Sequence, residues 1–173
     1  CTSLKTEVDL SNLQNVPYQA FAYSSIPSVI LCDSLETIGA WAFLFTELPS
    51  VTLPETLKSI GSYAFCVCNN LTFISIPDSI TQIGDNAFRG CSSLISISIP
   101  DSVTRIDHET FFYCSSLVSV SIPSSITQIG DGAFDMCSIL NSITIPESVT
   151  EIGSKVFYTA YNPNLILTVP RNS

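Results

Sequence analysis

Apolar and polar positions alternate in short bursts along the chain, as in Ser96-Ile97-Ser98-Ile99 and Ser119-Val120-Ser121-Ile122. Such alternation sends apolar side chains to one face of a strand and polar ones to the other. Pro100 and Pro123 follow these bursts and close the strands, since proline has no N–H to offer a neighbour. A second β-branched piece comes next, Val103-Thr104-Arg105-Ile106 or Ile126-Thr127-Gln128-Ile129, and predicts a shorter strand on another wall. The glycine that follows predicts a turn with positive φ. Asp85 to Cys91 then predicts one helical or 3₁₀ turn, with its acid at the start where a helix dipole favours negative charge.

This succession recurs. Phenylalanines stand at Phe21, Phe43, Phe65, Phe88, Phe111, Phe134 and Phe157, at intervals of 22 or 23 residues. In step with them run Pro54, Pro77, Pro100, Pro123 and Pro146, with Cys32 in the place of an earlier proline, and Gly39, Gly61, Gly84, Gly130 and Gly153. Cys68, Cys91, Cys114 and Cys137 each lie three residues after a phenylalanine. A fixed period of this length marks a solenoid. One coil cannot enclose its own apolar residues, so each is covered by the coils above and below. The predicted inward columns are Leu94, Ile97, Ile99, Val103, Ile106, Phe111, Cys114 and their equivalents.

The stretch Leu71 to Cys91, LTFISIPDSITQIGDNAFRGC, closely resembles the BspA-type class of leucine-rich repeats, and the likeness extends over essentially the whole chain. The resemblance implies a right-handed leucine-rich-repeat solenoid, mainly β with parallel strands: one domain over 1–173 of about seven and a half coils. It also implies a place on the cell surface or in secreted form, with a role in adhesion or protein–protein interaction. The class motif contains no catalytic residue, so none is carried over. Asp107-His108-Glu109-Thr110 departs from the motif's Gly-x-x-Ala, and Val8-Asp9-Leu10 and Asn164-Leu165-Ile166-Leu167 shift register by about one residue. The chain starts at Cys1-Thr2-Ser3-Leu4 and stops at Val169-Pro170-Arg171-Asn172-Ser173, both in mid-repeat, which reads as a segment of a longer array able to associate end to end.

Composition narrows the partners. Apolar residues make up 46% of the chain, yet no run approaches the ~20 residues of a membrane span. Fifteen acids against six Lys and Arg leave no basic surface for nucleic acid and disfavour anionic lipid. The cysteine column reads as a free buried ladder of small apolar fillers, with disulfides or a metal as lesser alternatives. Cys66 and Cys32 stand outside it and are expected to be accessible.

Candidate binding residues lie on two faces. The outward positions of the main strand include Ile30, Thr52, Phe73, Ser75, Ser96, Ser98, Ser119 and Ser121, a mostly hydroxyl face with Phe73 and Ile30 as apolar anchors. It suits a host, matrix or other cell-surface protein or a glycan, and a regular Ser/Thr array could also order water or ice. Trp41 and Tyr63, in equivalent places of adjacent coils, form a second candidate on the turn side, with Phe112, Tyr113 and Tyr158 further along. Asp33, Glu55, Asp78, Asp101 and Glu147 predict an acidic ridge, read first as solvation and second as a weak calcium site. The single histidine, His108, reads as an exposed turn. No nucleophile, base and oxyanion set is legible, so the expectation is a non-catalytic module without cofactor or metal, with a structural spacer as the rival. Asn70-Leu71-Thr72 fits a glycosylation sequon.

Overall fold

The computed structural model describes residues 7–158 and 166–168. Each coil contributes a three-residue strand and then a two-residue strand. In chain order these are β1 (Val8–Leu10), β2 (Asn15–Val16), β3 (Val29–Leu31), β4 (Thr37–Ile38), β5 (Ser50–Thr52), β6 (Ser59–Ile60), β7 (Phe73–Ser75) and β8 (Gln82–Ile83). They continue as β9 (Ser96–Ser98), β10 (Arg105–Ile106), β11 (Ser119–Ser121), β12 (Gln128–Ile129), β13 (Ser142–Thr144), β14 (Glu151–Ile152) and β15 (Ile166–Thr168). Every pairing is parallel and joins a strand to its counterpart one coil on, as Ser96 to Ser119 and Arg105 to Gln128. The register shifts seen in the sequence are absorbed by pairing Val8 with Val29 and Ser142 with Ile166. The mid-repeat ends, 1–6 and 169–173, and residues 159–165 lie outside the described residues.

The predicted inward columns are buried through the middle of the stack, with Val29, Leu31, Ile122 and Val149 half-buried and Ile152, the equivalent of Ile106, 57% exposed. Phe43, Phe65, Phe88, Phe111 and Phe134 are fully enclosed, with Phe21 and Phe157 half-buried at the two ends of the file. Consecutive rings from Phe21 to Phe157 stack with centroids 5.3 to 5.8 Å apart and planes within 12°. Offset stacking of this kind adds about 0.5–1.5 kcal/mol per pair to the burial itself.

The turn differs from the expected helix: among the described residues no helix occurs. Instead the chain makes consecutive reverse turns around each phenylalanine. The N–H groups of Ala87, Arg89 and Cys91 bond back to carbonyls three residues earlier, while those of Asn86, Phe88 and Gly90 donate to His108, Thr110 and Phe112 of the next coil. Backbone donors therefore alternate between local turns and an inter-coil ladder. The geometry requires positive φ two residues before and two after each phenylalanine, which is where Trp41, Phe45, Tyr63, Val67, Asn86, Gly90, Tyr113, Gly132 and Met136 sit. Bulky L-residues disfavour this conformation by roughly 1–2 kcal/mol each, and for that reason their sequence does not announce it.

The glycine column serves close approach, not the positive φ expected of it. A Cβ on Gly61 would lie 2.6 Å from the Ala40 nitrogen of the preceding coil, and one on Gly130 would lie 2.7 Å from the His108 nitrogen. Glycine alone lets the N–H of Gly130 reach the Ile106 carbonyl at 2.7 Å, as Gly84 reaches Ile60.

Asp107 occupies this column with a side chain, and the stack responds. The Asp107 N–H makes no counterpart bond to Ile83, and Thr104 makes none to Thr81. β8 and β10 do not pair, and on the other wall β7 and β9 do not pair either. The main sheet is also interrupted between β3 and β5, but there β4 and β6 remain joined. Among the described residues, only between the coils of Phe88 and Phe111 do both walls part; the turn ladder, the phenylalanine contact, the bond from Ile95 N–H to the Thr72 carbonyl and side-chain contacts such as Ser102 to the Ile80 carbonyl, His108 N–H to Asp85 and Arg89 to Glu109 bridge the seam.

Candidate functional site

The strand face places the sequence-predicted residues together. Ile30, Thr52, Phe73, Ser75, Ser98, Ser119 and Ser121 are exposed and Ser96 is half-exposed, while the residues between them on the same strands, such as Ile74, Ile97 and Val120, point into the core. A concavity of about 240 Å³ opens across the seam, bounded by Phe73, Ser75, Ile76, Ser96, Ser98, Ser119 and Ser121. No charged side chain lines it. Phe73, 58% exposed, forms its lip.

Two other columns of hydroxyls are committed to the fold. Ser79 donates to the Leu57 carbonyl at 2.6 Å, Ser125 to Val103 at 2.7 Å and Ser148 to Ile126 at 2.6 Å, each one coil back. Thr127 and Thr150 do the same on the second wall. By contrast the hydroxyls of Ser75, Ser96, Ser98, Ser119 and Ser121 have no protein partner. The strand face thus presents unspent donors and acceptors beside one apolar ring.

Trp41 and Tyr63, both half-buried, stack with centroids 4.7 Å apart on the turn side. They lie on a different edge from the strand face and do not join its concavity. The sequence placed Phe45 near this pair but missed Tyr23, which stacks on Phe45 at 5.2 Å, and it missed that all four side chains leave the backbone from left-handed residues.

The cysteine ladder is buried and free. Its thiols donate to phenylalanine carbonyls one coil back, Cys91 to Phe65 at 3.1 Å and Cys114 to Phe88 at 3.3 Å, so they are more than fillers. Burial pushes Cys68 up to about 11 and Cys137 up to about 12 and keeps the thiols protonated and unreactive. Cys66, expected to be accessible, is buried. Cys66, the residue after Phe65, is turned inward just before left-handed Val67, as Leu44 is before left-handed Phe45 in the preceding coil; burial carries the Cys66 thiol up to about 11 despite Arg89 nearby. Cys32 is half-exposed, with Ser34 and the Leu13 carbonyl as its partners.

His108 lies on an exposed turn beside Glu109. Asp107 is buried, and burial raises its carboxyl above the ordinary range even though Arg105 pairs with it. Among the described residues no group of three His, Cys, Asp or Glu side chains could hold a metal ion. The acids of the predicted ridge are all exposed, and no helix among the described residues is long and apolar enough to cross a membrane. Asn70 is exposed and donates to the Glu47 carbonyl at 3.4 Å.

Comparison with known proteins adds lineage to this geometry. A comparison with curated proteins returned no match. Among solved structures, a leucine-rich repeat protein from Bacteroides ovatus is 30% identical over 92% of this chain, with a TM-score of 0.82. This chain spans 44% of that protein's length. The leucine-rich repeat protein of T. pallidum superposes with a TM-score of 0.67 at 24% identity over 79% of this chain and 78% of its own. A leucine-rich cell surface protein from Faecalibacterium prausnitzii does so at 0.55 and 24%, over 96% of this chain and 60% of its own. The model of the BspA-type leucine-rich repeat region matches residues 1–46 and 37–164 in six copies. Column by column, and across most of its length, the chain belongs to the BspA-type leucine-rich repeat family.

Proposed function

We propose that this chain is a non-catalytic adhesion or protein-interaction module, displayed on a cell surface or secreted, and that its strand face is where a host, matrix or other surface protein docks. One observation carries the reading: the five serine hydroxyls around the seam concavity are all left unbonded by the fold, whereas columns such as Ser79, Ser125 and Ser148 are used between coils. A partner can therefore take up these groups without breaking anything internal. Phe73 supplies the apolar contact on which hot spots are usually built. Placement at the surface follows the family, not the geometry.

The test is binding of the labelled chain to a panel of immobilised matrix proteins and whole cells. Phe73→Ser and Ser98→Arg should each lower binding by about tenfold, because one removes the apolar lip and the other fills the concavity with a charge. Asp78→Asn on the acidic ridge should leave it unchanged. Equal binding by all three variants would contradict the reading and favour a spacer that holds another domain away from the surface.

A further inference from the structure

The turn edge of the first coils carries aromatic side chains that the backbone holds under strain. Tyr23 and Phe45 have φ of 60° and 54°, a region where glycine is at ease and a bulky L-residue is not. Gly90 fills the same column two coils beyond Phe45 and meets the requirement without strain. Yet the edge keeps two stacked rings, 61% and 48% exposed. Beside Phe45 a concavity of about 260 Å³ is lined by Phe45, Glu47, Val67, Asn69 and Asn70, with Thr46 behind them.

Later coils show what such an edge accepts. The Arg89 guanidinium lies 4.1 Å from the Phe112 ring centroid and pairs with Glu109, and the Lys155 ammonium lies 5.6 Å from the Tyr158 centroid. Among the described residues, no cation covers Tyr23 or Phe45. The surrounding charge is one-sided: between Glu7 and Ser75 there are six carboxylates and a single lysine, Lys58.

We propose that this edge docks a basic segment of a partner protein, with an arginine side chain laid on the Phe45 ring and its guanidinium turned to the Glu47 carboxylate. The intramolecular Arg89–Phe112–Glu109 arrangement is the same chemistry satisfied from within. Arginine fits better than lysine because a planar guanidinium stacks on a ring while its N–H fork engages a carboxylate. The Asn69 and Asn70 carboxamides line the same concavity and offer further acceptors. A cleft of this size, below the ≈300–1,000 Å³ of sites for drug-sized ligands, holds one side chain. The negative field of the early coils draws such a segment in. This edge is separate from the strand face, so the two proposals stand or fall independently.

The experiment is calorimetric titration of the whole chain, at low salt, with a synthetic peptide of alternating glycine, serine and arginine. A second peptide carries citrulline, which keeps the shape and loses the charge, at every arginine. The arginine peptide is expected to bind about tenfold or more tightly than the citrulline one. Phe45→Ala and Glu47→Gln should each weaken it by about tenfold, while Asp78→Asn and Ser98→Arg change it by less than about twofold. Phe45 and Glu47 are both exposed, so these variants keep the fold, which circular dichroism verifies. The proposal is overturned by equal affinity for the two peptides, by no binding at millimolar peptide, or by losses in Phe45→Ala and Glu47→Gln no larger than in Asp78→Asn.

Discussion

Two neighbouring interfaces of the stack differ by one side chain in the glycine column. Between the coils of Phe111 and Phe134, Gly130 lets the backbones close to a 2.7 Å hydrogen bond, and both walls pair. Between the coils of Phe88 and Phe111, Asp107 stands in that column and both walls part, yet the rings remain 5.8 Å apart against 5.5 Å at the regular interface. The core, the turn ladder and side-chain bonds such as Ser102 to Ile80 therefore carry continuity where the sheets do not pair. What the stack loses in strand pairing appears on the outside as the concavity beneath Phe73.

The largest test of this comparison removes what both interfaces share. Phe88→Ala should destabilise the fold by about 3–5 kcal/mol in urea or thermal unfolding, because it leaves a cavity in the middle of the file. A variant that melts with the parent would show that the file does not hold the coils together. Next comes the attempt to copy the seam. Gly130→Ala places a Cβ within 2.7 Å of backbone and should cost about 1–3 kcal/mol while exposing the amides of β12 to exchange. Full tolerance would mean that close approach is not what the column demands.

The reverse substitution should heal the seam. Asp107→Gly frees the Arg105 side chain but lets the Asp107 and Thr104 amides bond as their counterparts do, each worth about 0.5–1.5 kcal/mol. Stability is expected to rise by about 1 kcal/mol, and strand-face binding to fall as the concavity closes. A stabilised variant that binds undiminished would separate the seam from the binding face.

The smallest effect is electrostatic. Burial raises the folded pKa of Asp107 above its ordinary 3.8. A raised carboxyl favours the fold below the unfolded value, and that contribution is lost as pH climbs through the folded value. Asp107→Asn cannot lose it. The stability of the variant relative to the parent should therefore increase as pH rises from below 3.8 through the folded value, and then level off. Denaturant midpoints showing a constant or shrinking difference would contradict burial as the dominant influence on this carboxyl.

Much of this was legible in the residues because a repeat multiplies each weak signal. The inward columns, the two strands of each coil and the outward placement of Phe73, Ser75, Ser96 and Ser98 all follow from alternation and period. The turn was not legible: left-handed Trp41, Tyr63 and Val67 contradict local preference, and only inter-coil bonds impose them. Cys66 was misplaced for the same reason, since alternation fails through a run of turns. The departure at Asp107-His108-Glu109-Thr110 was visible, but its effect depends on a backbone approach of under 3 Å that no composition reveals. Which serines remain unbonded likewise depends on the distance between coils.

Amide hydrogen exchange followed by NMR tests the seam most directly. The Asp107 amide should exchange much faster than those of Gly84, Gly130 and Gly153, which hold the same column with a bond to the coil before. Equal protection at all four positions would mean that the coils of Phe88 and Phe111 are joined like the others, and the account of the concavity would fail with it.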